Sequence, residues 1–295
     1  MQHSHNLAIW ILVLFVLSAC SSTRPSISDD PPLDVDRTKS QLPADQVPRV
    51  EPLSKYGNPS SYVVFGKTYH TLPSSQGFVQ RGIASWYGKK FHGRRTSSGE
   101  PYDMYGMTAA HTQLPLPTYV QVTNLNNGKQ VVLRVNDRGP FHGNRVIDLS
   151  YTAATKLDIV KEGTGLVEVR ALDPRNYRIT HNRVVSASSE LDINVESEMV
   201  ADSSPEIVTE ATTISNQGPK IFVQVGAFGE FKNASQLKSQ LSGLNLGVVT
   251  ISSIVKDTKQ LHRVRIGPIA TVKSADDTVA ELIAMGISDH RVVIE

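Results

Sequence analysis

The chain has 295 residues, of which 39% are hydrophobic, 20% are charged and 6% are aromatic, and its formal net charge is +2. This length predicts about two domains. The near-neutral charge argues against a dedicated nucleic-acid-binding protein. The single cysteine, Cys20, excludes an internal disulfide framework and any cysteine-cluster zinc site.

The N-terminus carries an uninterrupted apolar run over residues 7–17, followed by Ser18, Ala19 and Cys20. The run is too short for a transmembrane helix and has the length of a signal-peptide core, with small residues before the cleavage point. The motif resembles a bacterial lipobox, although the first six residues contain no Lys or Arg. The resemblance implies a signal peptide over 1–19 and acylation of Cys20. With serine at position 21, it also implies sorting to the outer membrane, facing the periplasm. An ordinary secretory signal with an incidental cysteine is the alternative.

Two stretches lack periodic apolar residues. Residues 20–78 are rich in Pro, Ser and Asp, which predicts a lipidated, mostly disordered tether. Residues 173–217 contain three basic and eight acidic residues, which predicts a disordered acidic linker. Residues 81–172, by contrast, contain twelve basic and seven acidic residues. This excess indicates either solvated surface or a cleft that attracts an anionic polymer.

The middle domain, residues 79–172, is predicted to be mainly β. Alternating or β-branched runs separated by Gly, Asn and Pro predict five strands, over 79–87, 119–124, 130–135, 146–149 and 166–171. Residues 150–157 predict a short helix with Ser150 as its N-cap. Such a pattern fits a small barrel. A pentapeptide beginning at Phe91 (FHGRR) recurs at Phe141 (FHGNR), by pseudo-symmetry or by chance.

The final domain, residues 218–295, alternates between strand and helix patterns. The predicted strands cover 221–225, 248–255, 262–266 and 291–294, and the predicted helices cover 233–242 and 274–285. The order βαββαβ is that of a ferredoxin-like α+β unit with its helices on one face of an antiparallel sheet.

Four motifs of the middle domain occur in a distinctive order: Trp86-Tyr87-Gly88, TSSGE at 96–100, TAAH at 108–111 and VNDRGP at 135–140. Together with the lipobox, they resemble the rare lipoprotein A (RlpA) family. The resemblance implies a double-psi β-barrel and an endolytic lytic transglycosylase. Such an enzyme cleaves β-1,4 MurNAc–GlcNAc bonds of peptide-stripped peptidoglycan glycan strands and leaves 1,6-anhydro-MurNAc ends. No cofactor or metal is implied.

Asp137 is the predicted catalytic residue. It follows an apolar strand and precedes Arg138-Gly139-Pro140, which places a carboxyl at the rim of a groove. Cleavage of a glycosidic bond requires an acid that protonates the leaving oxygen. By the resemblance, Asp137 acts as acid and base in turn, because the sugar's own 6-hydroxyl is the nucleophile. A turn aspartate bonded to its own backbone is the alternative.

Glu100 and His111 are predicted to complete the catalytic group. We expect them to orient the substrate or to tune the protonation of Asp137, with Glu100 supplying a like charge that would raise its pKa. Considered singly, Glu100 could be a solvated loop charge and His111 a buried core histidine.

Substrate binding in the barrel is assigned to Trp86, Tyr87, Asp103 and Arg138, with a structural role as the alternative for Asp103. Adjacent strand residues face opposite sides, so one of the two aromatic rings could instead belong to the core. Four further cations are expected to flank the groove or to serve solubility: Lys89, Lys90, Arg94 and Arg95.

The last domain looks like a SPOR domain, on the residues FVQVGAF at 222–228 and RVRIGP at 263–268. That family binds peptidoglycan stripped of its stem peptides, which enriches its members at the division septum. Alternation directs Phe222, Gln224, Arg263 and Arg265 to the open sheet face, where they could bind sugars. A merely solvated face is the alternative.

Two functions therefore remain open from sequence. The first is a septal lytic transglycosylase active in daughter-cell separation and cell wall organisation. The second is a non-catalytic, expansin-like protein that binds and remodels the wall. A peptidase is disfavoured because the chain contains no HExxH, nucleophile-elbow or catalytic-cysteine motif. The expected partners are glycan strands and, through Cys20, a membrane, with divisome proteins as further possible partners and no nucleic acid.

Overall fold

The computed structural model of the chain describes residues 42–177, 218–256 and 258–295. The predicted signal peptide, Cys20, residues 20–41 of the predicted tether and nearly all of the acidic linker lie outside the described residues.

Residues 42–78 pack along the middle domain. Within them, strands β1 (Ser61–Val64) and β2 (Lys67–His70) form an antiparallel hairpin. Backbone amides elsewhere in this segment donate to carbonyls of the middle domain, as Ser54 does to Leu116 at 2.8 Å and Leu72 does to Gln113 at 2.7 Å. The prediction of a mostly disordered tether is therefore wrong for residues 42–78. Their order comes from hydrogen bonds to distant residues, which leave no apolar periodicity in the sequence.

Six strands of the middle domain close into a barrel in the order β3-β7-β4-β6-β5-β8. They are β3 (Val79–Trp86), β4 (Thr108–His111), β5 (Thr118–Asn124), β6 (Gln130–Asp137), β7 (Arg145–Leu149) and β8 (Thr164–Ala171). The pairs β3–β7 and β4–β6 are parallel, and the other neighbours are antiparallel. The predicted double-psi barrel is confirmed, although the sequence pattern did not indicate β4.

Alternating residues of the barrel strands fill its interior. On β5 and β6, for example, Val120, Val122, Leu133 and Val135 are all buried in one apolar cluster. Helix α1 (Tyr151–Lys156) packs on this cluster through Ala153 and Ala154. Its predicted N-cap is confirmed, because the Ser150 hydroxyl accepts a hydrogen bond from the Ala153 amide. This packing fixes the strand ends from which the polar site projects.

The last domain contains strands β9 (Ile221–Phe228), β10 (Val249–Lys256), β11 (Lys259–Ile269) and β12 (Arg291–Ile294) and helices α2 (Phe231–Ser242) and α3 (Val272–Ala284). The sheet is antiparallel throughout, in the order β10-β11-β9-β12. Both helices pack on one face, which confirms the predicted βαββαβ unit. In the part of the chain that the structure describes, no helix has both the length and the hydrophobicity needed to cross a membrane.

Candidate active site

Asp137 is the last residue of β6, and the loop that contains the TSSGE motif holds its carboxylate. Its Oδ1 accepts hydrogen bonds from the amide and the hydroxyl of Ser97, both at 2.7 Å, and from the Arg138 amide at 2.7 Å. Among the described residues, no donor reaches Oδ2. One carboxylate oxygen is thus fixed by the protein, and the other is available to a ligand.

A second carboxyl group, that of Asp148 on β7, lies in the same cavity as Asp137. The Ser85 hydroxyl donates a short hydrogen bond to Asp148 Oδ1 from the neighbouring parallel strand. Burial raises the pKa of Asp148, and the negative charge of Asp137 adds to that rise, whereas Ser85, Arg145 and His142 act in the opposite direction. The site therefore pairs one hydrogen-bonded carboxylate with a carboxyl group that holds its proton more tightly than usual.

Asp148 was not among the predicted site residues. The available signal was an acidic residue between two apolar residues of a strand, Ile147 and Leu149, which are both buried. A charge at such a position is costly unless a partner compensates for it. The partner, Ser85, is 63 residues away in the sequence.

The cavity that contains both carboxyl groups has a volume of about 590 Å³. Its aromatic lining comprises Phe65, Trp86, Tyr87, Phe91 and Phe141. Phe91 and Phe141, the first residues of the two repeated pentapeptides, thus lie at one site. A cavity with aromatic walls and two convergent carboxyl groups fits a ligand with apolar faces and ether oxygens, such as a chain of sugars.

The two predicted aromatic residues both border the cavity. Trp86 contacts the Tyr151 ring edge-on, with ring centres 5.6 Å apart. The Tyr87 ring stacks on Tyr102 at 3.9 Å. Burial raises the pKa of Tyr87 far above its ordinary value, so its phenol stays neutral. The neighbouring Lys90 also borders the cavity.

Glu100 does not line the cavity. Its carboxylate accepts two hydrogen bonds from Arg134 Nη1, at 2.9 and 2.8 Å, and one from the Asn136 side chain at 2.9 Å. Asn136 immediately precedes Asp137, and its carbonyl accepts a hydrogen bond from the Ser98 amide at 3.2 Å. Glu100 is therefore placed to position the loop that holds Asp137, and not to touch substrate.

His111 is also absent from the cavity lining, and its ring is only 1% exposed. Its Nδ1 accepts hydrogen bonds from the amides of Gln113 and Leu114, at 3.0 and 3.1 Å, so Nε2 carries the proton toward the Gln80 side chain at 3.0 Å. Burial, assisted by the nearby Arg138 charge, lowers the pKa of His111 to about 3. The ring is thus a neutral structural group, in line with the core alternative.

Arg138 borders the cavity, but its guanidinium is committed elsewhere. It donates to the carbonyls of Gly57 at 2.8 Å, His111 at 3.1 Å and Leu114 at 2.5 Å. Because Gly57 belongs to the N-terminal segment, Arg138 fastens that segment to the barrel. Asp103 lies outside the cavity, where its carboxylate accepts a hydrogen bond from the Tyr105 amide at 3.0 Å. Of these two predicted substrate-binding residues, Arg138 therefore lines the cavity with its guanidinium bonded to backbone carbonyls, and Asp103 is not in the lining.

The four predicted residues of the last domain share the sheet face opposite the helices. Phe222, Gln224 and Arg263 are partly exposed. Arg265 is only 2% exposed, and its Nη1 donates to Glu295 Oε1 at 2.6 Å. The prediction that Arg265 is exposed is therefore wrong, because the side chain of Glu295 holds the Arg265 guanidinium against the sheet. Its guanidinium lies 5.7 Å from the centre of the Phe222 ring.

Within residues 42–177, 218–256 and 258–295, no group of three or more His, Cys, Asp or Glu side chains is placed to hold a metal ion.

The comparison with family models agrees with these two units. Residues 79–170 match the model described as lytic transglycolase, and residues 217–292 match that of the SPOR domain. A double-psi barrel with a paired carboxyl site, followed by a SPOR domain, defines a class of lytic-transglycosylase-like proteins.

Individual relatives specify the family. The chain is 40% identical over 281 residues to the endolytic peptidoglycan transglycosylase RlpA of Pseudomonas aeruginosa strain UCBPP-PA14, covering 87% of this chain and 81% of the relative. It is 49% identical over 166 residues to the protein of the same name from Vibrio cholerae serotype O1, covering 56% of this chain and 62% of the relative. The crystal structure of the RlpA SPOR domain from Pseudomonas aeruginosa is 36% identical, with a TM-score of 0.24, covering 25% of this chain and 96% of that structure. The chain belongs to the RlpA family of endolytic peptidoglycan transglycosylases.

Proposed function

We propose that this protein is a lytic transglycosylase that cleaves the β-1,4 bond between MurNAc and GlcNAc in peptidoglycan glycan strands. The observation that carries the proposal is the pair Asp137 and Asp148 in one aromatic-lined cavity. The two groups differ in environment, as an acid and a base at one site must. The family relationship supplies the substrate class.

The reaction follows from these environments. Asp148, whose pKa is raised by burial, donates its proton to the glycosidic oxygen as the bond from that oxygen to C1 of MurNAc breaks. The 6-hydroxyl oxygen of the same MurNAc bonds to C1 and closes the 1,6-anhydro ring. The proton of that hydroxyl passes to the free oxygen of Asp137. Proton return from Asp137 to Asp148 through solvent then completes the cycle.

Digestion of sacculi, both intact and stripped of stem peptides, tests the proposal. Mass analysis should find soluble glycan fragments that end in 1,6-anhydro-MurNAc, each lighter by one water than a hydrolysis product. Asp137→Asn and Asp148→Asn should each abolish them. Reducing-end products would indicate a hydrolase, and retained binding without any product would indicate the expansin-like alternative.

We further propose that the SPOR domain directs the enzyme to peptide-stripped glycan at the division septum. A partly exposed aromatic ring (Phe222), an amide (Gln224) and a guanidinium (Arg263) on one sheet face support sugar binding. The double variant Phe222→Ala/Gln224→Ala should lose septal enrichment in cells while retaining cleavage of soluble glycan. Septal enrichment that survives both substitutions would contradict this role.

Anchoring at the outer membrane, on its periplasmic side, is proposed from the lipobox at Cys20. Two or more acyl chains on one cysteine give stable anchoring, since each buried methylene contributes about 0.8 kcal/mol. Metabolic labelling with a palmitate analogue should mark the wild type and not Cys20→Ala. Labelling of that variant, or its continued sedimentation with outer membranes, would refute the assignment.

A further inference from the structure

The hairpin β1–β2 ends in an unusual turn. Val64 pairs with Lys67, which leaves Phe65 and Gly66 as the two turn residues. Their φ angles are 49° and 75°, the left-handed values of a type I′ turn, in which asparagine commonly occupies the first position. A bulky residue is strained there. Phe65 is also 88% exposed, so burial does not explain the choice of residue.

The hairpin is held firmly against the barrel by aromatic contacts. The rings of Tyr62 and Tyr69 stack at 5.4 Å, and Phe141 contacts Tyr69 edge-on at 5.5 Å. The Tyr62 hydroxyl donates to the Thr112 carbonyl at 2.7 Å. The position of the hairpin tip is therefore set by packed side chains on both of its strands.

The tip reaches the catalytic cavity. Phe65 lines the same cavity as Asp137 and Asp148. An adjoining cavity of about 380 Å³ lies along β2 and shares Pro140, Phe141, His142 and Arg145 with the first. It also includes Lys67 and His70 from the hairpin. The groove thus continues past the carboxyl pair, beneath the hairpin.

We propose that the β1–β2 hairpin forms a substrate-binding wall and that Phe65 stacks on a sugar ring of the bound glycan. This inference rests on the proposed function. Cleavage within a glycan strand requires the enzyme to bind sugars on both sides of the broken bond. The cavity with the two carboxyl groups binds one side, and the adjoining cavity supplies a binding region for the other. A pyranose ring presents an apolar C–H face that suits an exposed phenyl ring. The Lys67 cation, which lines the adjoining cavity, suits the lactyl carboxylate of a MurNAc residue.

Trp86 allows a direct test, because it lines the cavity and is the only tryptophan in residues 20–295. The protein of residues 20–295 would carry Asp137→Asn to prevent cleavage. We would titrate it with peptide-free glycan oligosaccharides and follow Trp86 fluorescence. Adding Phe65→Asn, which suits the turn, should raise the Kd about tenfold. Adding Phe65→Tyr should leave it within about twofold. Val63→Ala is the matched control, since Val63 is 65% exposed on the same hairpin and outside the cavity lining.

The active chain gives an independent readout on long glycan strands. Phe65→Asn should raise KM with little change in kcat, as expected for lost binding energy that is shared by ground and transition states. If Phe65→Asn binds like the Val63→Ala control while the wild type still forms anhydro products, the hairpin proposal is overturned and the proposed function stands. If glycan changes no Trp86 fluorescence in the wild type and the wild type forms no anhydro products, both the hairpin proposal and the proposed function are overturned.

Discussion

Replacing Glu51 with glutamine tests whether residues 42–78 belong to the folded unit of the barrel. The Glu51 carboxylate accepts hydrogen bonds from Arg134 Nη2 at 2.9 Å and from the Tyr119 hydroxyl. Burial alone would raise its pKa, but the hydrogen bonds from Arg134, Tyr119 and Arg49 outweigh burial and lower the pKa from 4.5 to about 2. Glutamine keeps the size of the side chain and removes its charge.

The pKa of Glu51 sets both the size and the pH range of the stability that Glu51→Gln should lose. Because its folded-state value lies below the unfolded one, the stabilisation is fully present above pH 4.5 and is lost as the pH falls through about 2. At full value, such a shift corresponds to about 3 kcal/mol. Residual solvent contact screens the pair, whose side chains are 19% and 14% exposed. We therefore expect a loss of about 1–2 kcal/mol near neutral pH.

Urea unfolding followed by Trp86 fluorescence measures this loss, because Trp86 reports the barrel alone in the chain of residues 20–295. The free energy of unfolding of Glu51→Gln should fall below that of the wild type near neutral pH, and the difference should shrink toward pH 2. Glu162→Gln, at an exposed position of the same domain, is the control. A Glu51→Gln barrel as stable as the control near neutral pH would show that the N-terminal segment does not stabilise the barrel.

Four further outcomes concern the site itself. Asp148→Asn should abolish anhydro products in the sacculus digest while glycan still changes Trp86 fluorescence; residual turnover near the wild-type rate would exclude Asp148 as the acid. Ser85→Ala removes a hydrogen bond that favours ionised Asp148, so its pKa should rise further and the alkaline limb of the kcat/KM profile should move to higher pH; a limb that stays in place contradicts the assignment. His111→Ala leaves the backbone amides of Gln113 and buried Leu114 without an acceptor and should cost about 1–3 kcal/mol in urea unfolding, with no change in the pH profile near neutrality, where the ring is already uncharged. Gly139→Ala introduces a methyl group 3.5 Å from Asp148 Oδ2 at a φ of 146°, and should lower kcat more than it raises KM; an unchanged kcat would show that the backbone there adapts.

Several predictions from local sequence agree with the structure because their causes are local. The alternation of apolar residues along β5 and β6 predicted strands, and both proved to line the barrel interior. Ser150 lies directly before the helix that it caps. The βαββαβ order followed from separate runs whose periodicity could be recognised one at a time.

Other features escaped the sequence because their causes are distant. Strand β4 has only four residues, TAAH, and it becomes a strand by pairing with β6 on one side and β7 on the other. The segment 42–78 has no periodicity because its partners are backbone groups and single side chains of the barrel that lie far away in the chain. Glu100 and His111 belong to the same set of motifs as Asp137, yet their side chains bond to Arg134 and to the backbone, away from the cavity.

By itself, the sequence determined the two folded units, the family and the position of Asp137 at the end of a strand, since strand periodicity and motif order are properties of neighbouring residues. Only the tertiary structure decided which groups stand beside Asp137. Parallel pairing of β3 with β7 brings Ser85 to Asp148, and the hairpin that precedes the barrel brings Phe65 to the same cavity. Closure of the barrel creates these contacts between residues distant in the chain, so no local pattern can encode them.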